Sequence, residues 1–193
     1  RQAQMKDPGV SDAYRDIYFS YKGNSVKLHV HDKTLKKDEY VKKANFFFKW
    51  LKDNISPGYS GACWGYNFPW VTPEKALPAF TPSSVVTGTN CKGIWQYYQL
   101  TNDKRAVELL KQASKFLLND LPRYSDNTGT CISYTPVKKD ICYNASLLAG
   151  ETLAMVYSLT NDDQLGALCI ELVEFVKKKK KDDGRWNYSQ DLV

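Results

Sequence analysis

The sequence predicts an all-α fold of inner and outer helical hairpins, preceded by a short N-terminal segment that carries a strand. Three observations predict it. First, two segments align without gaps, YYQLTNDKRAVELLKQASKFL from Tyr97 and VYSLTNDDQLGALCIELVEFV from Val156. Their LTND tetrapeptides begin at Leu100 and Leu159, 59 residues apart, and repetition at such a period marks repeated supersecondary units. Second, the helix after each tetrapeptide is amphipathic, with an apolar stripe opposite Asp, Glu and Lys. Third, the helix before each tetrapeptide is apolar or small on most of its faces, which asks for burial on most faces.

Taken in order, residues 1–36 stand outside the repeat. There SVKLHVH, 25 to 31, alternates Val26, Leu28 and Val30 with polar residues and reads as a short strand. His29 and His31 share a face in that strand, but two histidines without a third ligand make a weak metal signal. Residues 37–193 hold the repeats. DEYVKKANFFFKWLKDNI, 38 to 55, reads as the outer helix of a first unit. SSVVTGTNCKGIWQYYQL, 83 to 100, and NASLLAGETLAMVYSL, 144 to 159, read as inner helices. The outer helices that follow carry the stripes Ala106, Leu110, Ala113, Leu117 and Leu165, Leu168, Leu172, Phe175, Val176. Asn-Asp makes the turn inside each hairpin, and one of the pair caps the next helix through its side-chain oxygen. After each outer helix comes a loop: Gly61-Ala-Cys-Trp64-Gly-Tyr66, Gly129-Thr-Cys131-Ile-Ser-Tyr134 and Gly184-Arg-Trp186-Asn-Tyr188. Each leads toward an inner helix, so all three are expected at one end of the array, beside the inner-helix N-termini.

Composition narrows the function. With 42% hydrophobic and 25% charged residues over 193 positions, the chain reads as a globular domain with a sizeable core. No apolar run approaches the roughly 18 residues of a membrane span. The opening RQAQMKDPGV is polar, unlike a secretory leader, and Arg1 in place of Met suggests a fragment or a processed chain. Net charge is +6, and Lys177 to Lys181 supply five positive charges in one run at a helix end, where cations meet the negative end of the dipole. Without a basic face interleaved with aromatics, nucleic acid is not an expected partner. The five cysteines form no CxxC, and a reducing, cytoplasmic setting fits their odd number. The spacing of Cys131 and Cys142 allows a disulfide and does not require one. Sequons at Asn54, Asn144 and Asn187 matter only in a secreted eukaryotic chain. No GK[ST] phosphate loop and no G-x-S-x-G elbow occurs. Acidic pairs occur at Asp162-Asp163 and Asp182-Asp183, in turns, and make no diphosphate-binding motif. No cofactor or metal is called for.

The alternating hairpins with DDGRWNY at a turn resemble the α/α-toroid superfamily, which includes terpenoid cyclases, six-hairpin glycosidases, polysaccharide lyases and sugar epimerases. More closely, GYSGACWGYNFPW, TPSSVVTGT, CISYTP and YNASLLAGETLA together resemble a largely uncharacterised group of prokaryotic toroid proteins. Many of that group are encoded beside surface-polysaccharide biosynthesis genes. The likeness covers about residues 38 to 190. Two departures matter. A complete toroid has more hairpins than the two, plus one outer helix, found here. The resemblance therefore implies an incomplete α/α toroid, either a fragment or a chain whose copies self-associate to complete the ring. Lys138, Lys139 and Asp140 stand where the group carries an Asp-Arg pair nearer YTP, so a charged site there would be altered.

In toroids the cleft lies where inner helices begin, and the resemblance places the three aromatic loops around it. A carbohydrate ligand would find aromatic platforms in Trp64, Tyr66, Phe68, Trp70, Trp186 and Tyr188, and polar partners in Asn67, Thr87 and Asn144. The opposing reading is that these aromatics wedge neighbouring hairpins together. Catalysis at a glycosidic bond asks for two carboxylates across a cleft. Asp140, before an inner helix, Glu151, inside one, and Glu74 are the carboxylates nearest that description, with Tyr134 or Tyr143 as a candidate acid or base. Each carboxylate also has a structural reading, as a helix N-terminal residue for Asp140 and as a bond to a neighbouring helix for Glu151. Two functions are expected: a lyase, epimerase or hydrolase acting on surface polysaccharide or its precursors, or a non-catalytic module that binds glycan or a protein partner.

Overall fold

The computed structural model describes residues 14–21, 24–31, 37–72 and 75–190. Among these are five helices and four small antiparallel sheets of two strands each. The fold is mostly helical but not all-α, because the connections between helices pair as short hairpins. The chain divides into two compact units, residues 1–47 and 48–193.

In the first unit β1, Tyr14–Tyr21, pairs with β2, Asn24–His31, in a register running from Tyr14 opposite His31 to Tyr21 opposite Asn24. The expected strand at 25–31 is thus one arm of a hairpin. Helix α1 spans Lys37–Asp53, and the unit boundary falls within it, between Phe47 and Phe48. Glu74 lies outside the described residues, as do the side chains of His29 and His31.

The second unit holds the repeat. After β3, Trp70–Thr72, and β4, Lys75–Leu77, come α2, Ser84–Thr101, and α3, Lys104–Asn119. Then β5, Arg123–Asp126, pairs with β6, Gly129–Ile132. Strand β7, Ile141–Cys142, leads into α4, Tyr143–Thr160, and α5, Asp163–Lys178. Strand β8, Ser189–Gln190, returns to pair with β7. Helix α2 packs on α3 and α4, and α4 packs on α3 and α5.

The Asn-Asp turns divide their labour by residue. Asn102 and Asn161 take left-handed φ of 54° and 53° to end α2 and α4. Asp103 and Asp162 then cap α3 and α5, accepting from the Arg105 and Gln164 backbone N–H groups. Asn tolerates the left-handed region that most side chains avoid, and a short carboxylate suits the cap. The stripe of Ala106, Leu110, Ala113 and Leu117 is fully buried, as are Leu172 and Phe175 on α5. Helix α4 is less enclosed than its apolar sequence implies. It leaves Leu147 and Tyr157 exposed.

Candidate functional site

The interhelical loops are fixed by contacts that recur. A Cβ on Gly61 would lie 1.9 Å from the Gln112 carbonyl and 2.9 Å from the Phe116 nitrogen. One on Gly129 would meet the Glu171 carbonyl at 2.5 Å and the Phe175 nitrogen at 3.1 Å. Gln112 and Glu171, like Phe116 and Phe175, are 59 residues apart. Tyr59 meets Phe116 edge-on, as Tyr124 meets Phe175. The Trp64 N–H donates to Thr87 Oγ1 at 3.1 Å, and the Ile132 N–H donates to Ser146 Oγ at 3.0 Å. Each loop is thus pressed on the next outer helix and buttoned to the first turn of the next inner helix.

The third loop departs from this scheme. Gly184 has φ 84° and almost nothing near its Cβ position, which likens it to Gly58, φ 88°, rather than to Gly61. What it shares with the first loop is tryptophan. The Trp64 indole N–H donates to the Leu51 carbonyl at 2.9 Å, and the Trp186 indole N–H to the Val176 carbonyl at 2.7 Å. Each indole adds a second donor to a carbonyl in the last turn of the outer helix before it, beside the Asn54 and Lys179 backbone N–H groups that bond the same oxygens.

Those contacts sort the sequence-predicted residues. Trp64, only 3% exposed, and Thr87, fully buried, are absorbed into the loop clasp. Trp186 keeps an exposed ring face, over which the Lys180 ammonium sits at 5.1 Å. Asp140 is a loop staple: its Oδ1 accepts the Tyr134 N–H at 2.7 Å, and its backbone N–H donates to Ser133 Oγ. Glu151 pairs with Lys92 of α2 at 3.1 Å, the structural alternative weighed from sequence. Tyr143 donates its phenol proton to Gln190 Oε1 at 3.2 Å.

The remaining candidates converge. Tyr66 stacks on Phe68 with centroids 5.2 Å apart and meets Trp70 edge-on at 6.3 Å. Trp70 leans on Tyr134 at 5.2 Å. These four rings line one cleft together with Leu77, Thr81 and Ser83, and the void at its base is about 10 Å³, one water's worth. The Tyr134 phenol is raised well above the ordinary tyrosine value, first by burial and then by the neighbouring Tyr66 phenol. Tyr188 and Cys142 act on it as well. Tyr188 is raised by burial and by Cys142, while a hydrogen bond with Asn144 opposes that rise. Cys142 Sγ donates to Asn144 Oδ1 at 3.0 Å. One tyrosine from each loop is therefore near enough to influence the others electrostatically, and Cys142, at the start of α4, acts on Tyr134 and Tyr188 alike. Asn67 is exposed on the loop between Tyr66 and Phe68. Cys142 had no sequence signal beyond its place at a helix start.

No family model matches the chain, and no curated protein matches it in sequence. The site is therefore read from its own chemistry. Its convergent groups are phenols, an amide, a thiol and aromatic faces, and among the described residues that line the cleft none is a carboxylate or an ammonium. Among the described residues no cluster of three or more His, Cys, Asp or Glu could hold a metal ion. No disulfide joins the five cysteines, Cys131 and Cys142 included. No helix among the described residues is long and apolar enough to cross a membrane. The lysine run is individually engaged. Lys177 pairs with Glu174, Lys178 donates to the Thr128 carbonyl, and Lys179 pairs with Asp126.

Proposed function

We propose that the protein binds carbohydrate without transforming it, at the cleft of Tyr66, Phe68, Trp70 and Tyr134. The observation that carries this reading is the meeting of three loop tyrosines with two further aromatic rings and the Asn144 amide in an uncharged setting. Flat apolar faces with hydroxyl and amide groups at their edges suit a sugar, which offers C–H faces and hydroxyls of its own. The competing lyase, epimerase or hydrolase reading draws support from Tyr134, whose raised phenol stays protonated at neutral pH and could serve only as an acid. Among the described residues it lacks a second group: Asp140 is committed to the Tyr134 backbone and Glu151 to Lys92. A glycan array on the wild type, with Trp70→Ala as control, tests binding. Turnover assays on the wild type, Asp140→Asn and Glu151→Gln test catalysis. Binding that is lost in Trp70→Ala, with no turnover in any variant, is the expected result. Wild-type turnover that falls in Asp140→Asn would restore the enzyme reading.

The same proposal takes α2–α3 and α4–α5 as successive inner–outer hairpins of an α/α toroid. The loop contacts that recur at a 59-residue spacing support it. We further propose that the outward side of α4–α5 receives another such hairpin, through self-association of copies. Val173 is 52% exposed where its counterpart Ser114 is 6% exposed, and Leu147 is exposed where Gly88 is buried against Leu148. The more apolar residue sits in the uncovered copy at both positions, the reverse of what water favours.

A further inference from the structure

At Phe80 the backbone and the side chain ask for different things. The turn from Pro78 to Thr81 closes with the Thr81 N–H donating to the Pro78 carbonyl at 3.2 Å. Its third residue, Phe80, has φ 64°. Positive φ at that place is the ordinary business of Gly or Asn, and a bulky residue there is an outlier. The strained backbone is held on both sides. The Phe80 N–H donates to the Tyr66 carbonyl at 2.6 Å, and the Phe80 carbonyl accepts from Ser56 Oγ at 2.9 Å. Both bonds use main-chain atoms, so Gly or Asn would make them with less strain. Packing does not explain the ring either, since Phe80 is 61% exposed. A strained residue with an exposed aromatic side chain, tied by its backbone to a residue of the cleft, fits the pattern of strain kept where it serves function.

We infer that Phe80 is a ligand-contacting residue whose ring extends the platform of Tyr66, Phe68 and Trp70 along the rim of the cleft. The inference rests on the carbohydrate reading of that cleft and sharpens it. The void at the base holds about one water, so a sugar is not engulfed. The ligand is an oligosaccharide chain laid across exposed rings, and Phe80 engages a unit beyond the one over Tyr66 and Trp70.

The test uses the full chain, an array of neutral hexose and N-acetylhexosamine tetrasaccharides with the matching monosaccharides, and calorimetric melting of the same samples. Phe80→Asn is expected to raise Tm by about 2–4 °C, because the left-handed turn position is relieved. It is expected to weaken tetrasaccharide binding about tenfold, because a stacking face is gone. Phe80→Ala weakens binding equally, and Phe80→Trp retains it. Wild type binds the tetrasaccharide at least about tenfold more tightly than the monosaccharide. A fall in Tm for Phe80→Asn would show that the ring supports the fold and overturn the inference. Unchanged tetrasaccharide affinity in that variant would overturn it too, while leaving the cleft a carbohydrate site. A wild type that binds no glycan on the array overturns both readings at once.

Discussion

Trp64 and Trp70 stand six residues apart in one loop and serve different ends. Trp64 is buried, with its indole bonded to the end of α1, whereas Trp70 turns a ring into the cleft. Trp64→Phe is expected to cost about 1–2 kcal/mol in urea unfolding, from the lost indole hydrogen bond and the space the smaller ring leaves in a buried site, with glycan affinity unchanged. Trp70→Ala should weaken binding about tenfold or more, with a stability cost of its own because the ring also packs on Tyr134, Cys142 and Ala145. Sequence named both as platforms because residue type cannot report which way an indole points. The pattern of Gly then Tyr marks three tyrosines, Tyr66, Tyr134 and Tyr188, that influence one another electrostatically. Residue-scale chemistry also speaks through the thiols. Burial pushes Cys63 and Cys91 up to about 12, and Cys131 to about 11. These thiols hold their protons more tightly folded than unfolded. Their contribution to stability is complete below the ordinary thiol value and is lost as pH rises from about 9 toward those raised values. Melting temperature should therefore fall across that alkaline window. A thiol reagent at neutral pH should leave Cys63 and Cys91 unmodified until the protein unfolds; their ready modification in the native state would contradict this account.

The elements are held by glycines whose surroundings differ in kind. Gly61→Ala and Gly129→Ala each drive a methyl into the backbone of an outer helix, and each should cost about 3 kcal/mol or more by chemical denaturation. Gly93, inside α2 with nothing near its Cβ position, should instead gain about 0.5–1 kcal/mol on replacement by Ala. Similar losses at all three sites would show that the close approach of the outer-helix backbone is not what sets Gly61 and Gly129 apart. Between β5 and the end of α5, Asp126 accepts from Thr128 and pairs with Lys179, and these partners lower its carboxyl to about 2. That stability is present above the usual 3.8 and is lost as pH falls through about 2. Asp126→Asn should flatten this part of the acid unfolding curve followed by circular dichroism. The helices were legible in sequence because their period and the Asn-Asp corners are local signals. The two-stranded pairings were not. Short runs such as Gly129–Ile132 carry too few residues for a period of two to show, and their partners lie across a turn. β1 escaped notice because YRDIYFSY mixes aromatic and charged residues without clean alternation.

At the scale of the molecule, the repeat could be read because a repeated unit leaves its mark at a fixed spacing, and the contacts of Gly61 with Gln112 and Phe116, matched by those of Gly129 with Glu171 and Phe175, give that spacing a structural meaning. Which sides remain open had no sequence signal, since Val173 and Leu147 look like any core residue until their neighbours are placed. If the open side of α4–α5 takes another copy, scattering mass should rise with concentration, and Val173→Asp should return the protein to monomers. A monomer at every concentration would remove the self-association proposal and leave the glycan site untouched.

The bridge between Lys92 and Glu151 has a bearing on ancestry. These two positions are 59 residues apart, so they are the same site in successive copies, and they face each other at 3.1 Å across α2 and α4. A faithful duplication would put identical charges face to face, and like charges repel. Opposite charges in the two copies relieve that repulsion, modestly, since both side chains are close to half exposed. At this position symmetry and adjacency are incompatible, and the two hairpins are no longer interchangeable parts: transplanting either residue into the other's place without its partner would recreate the repulsion that divergence removed.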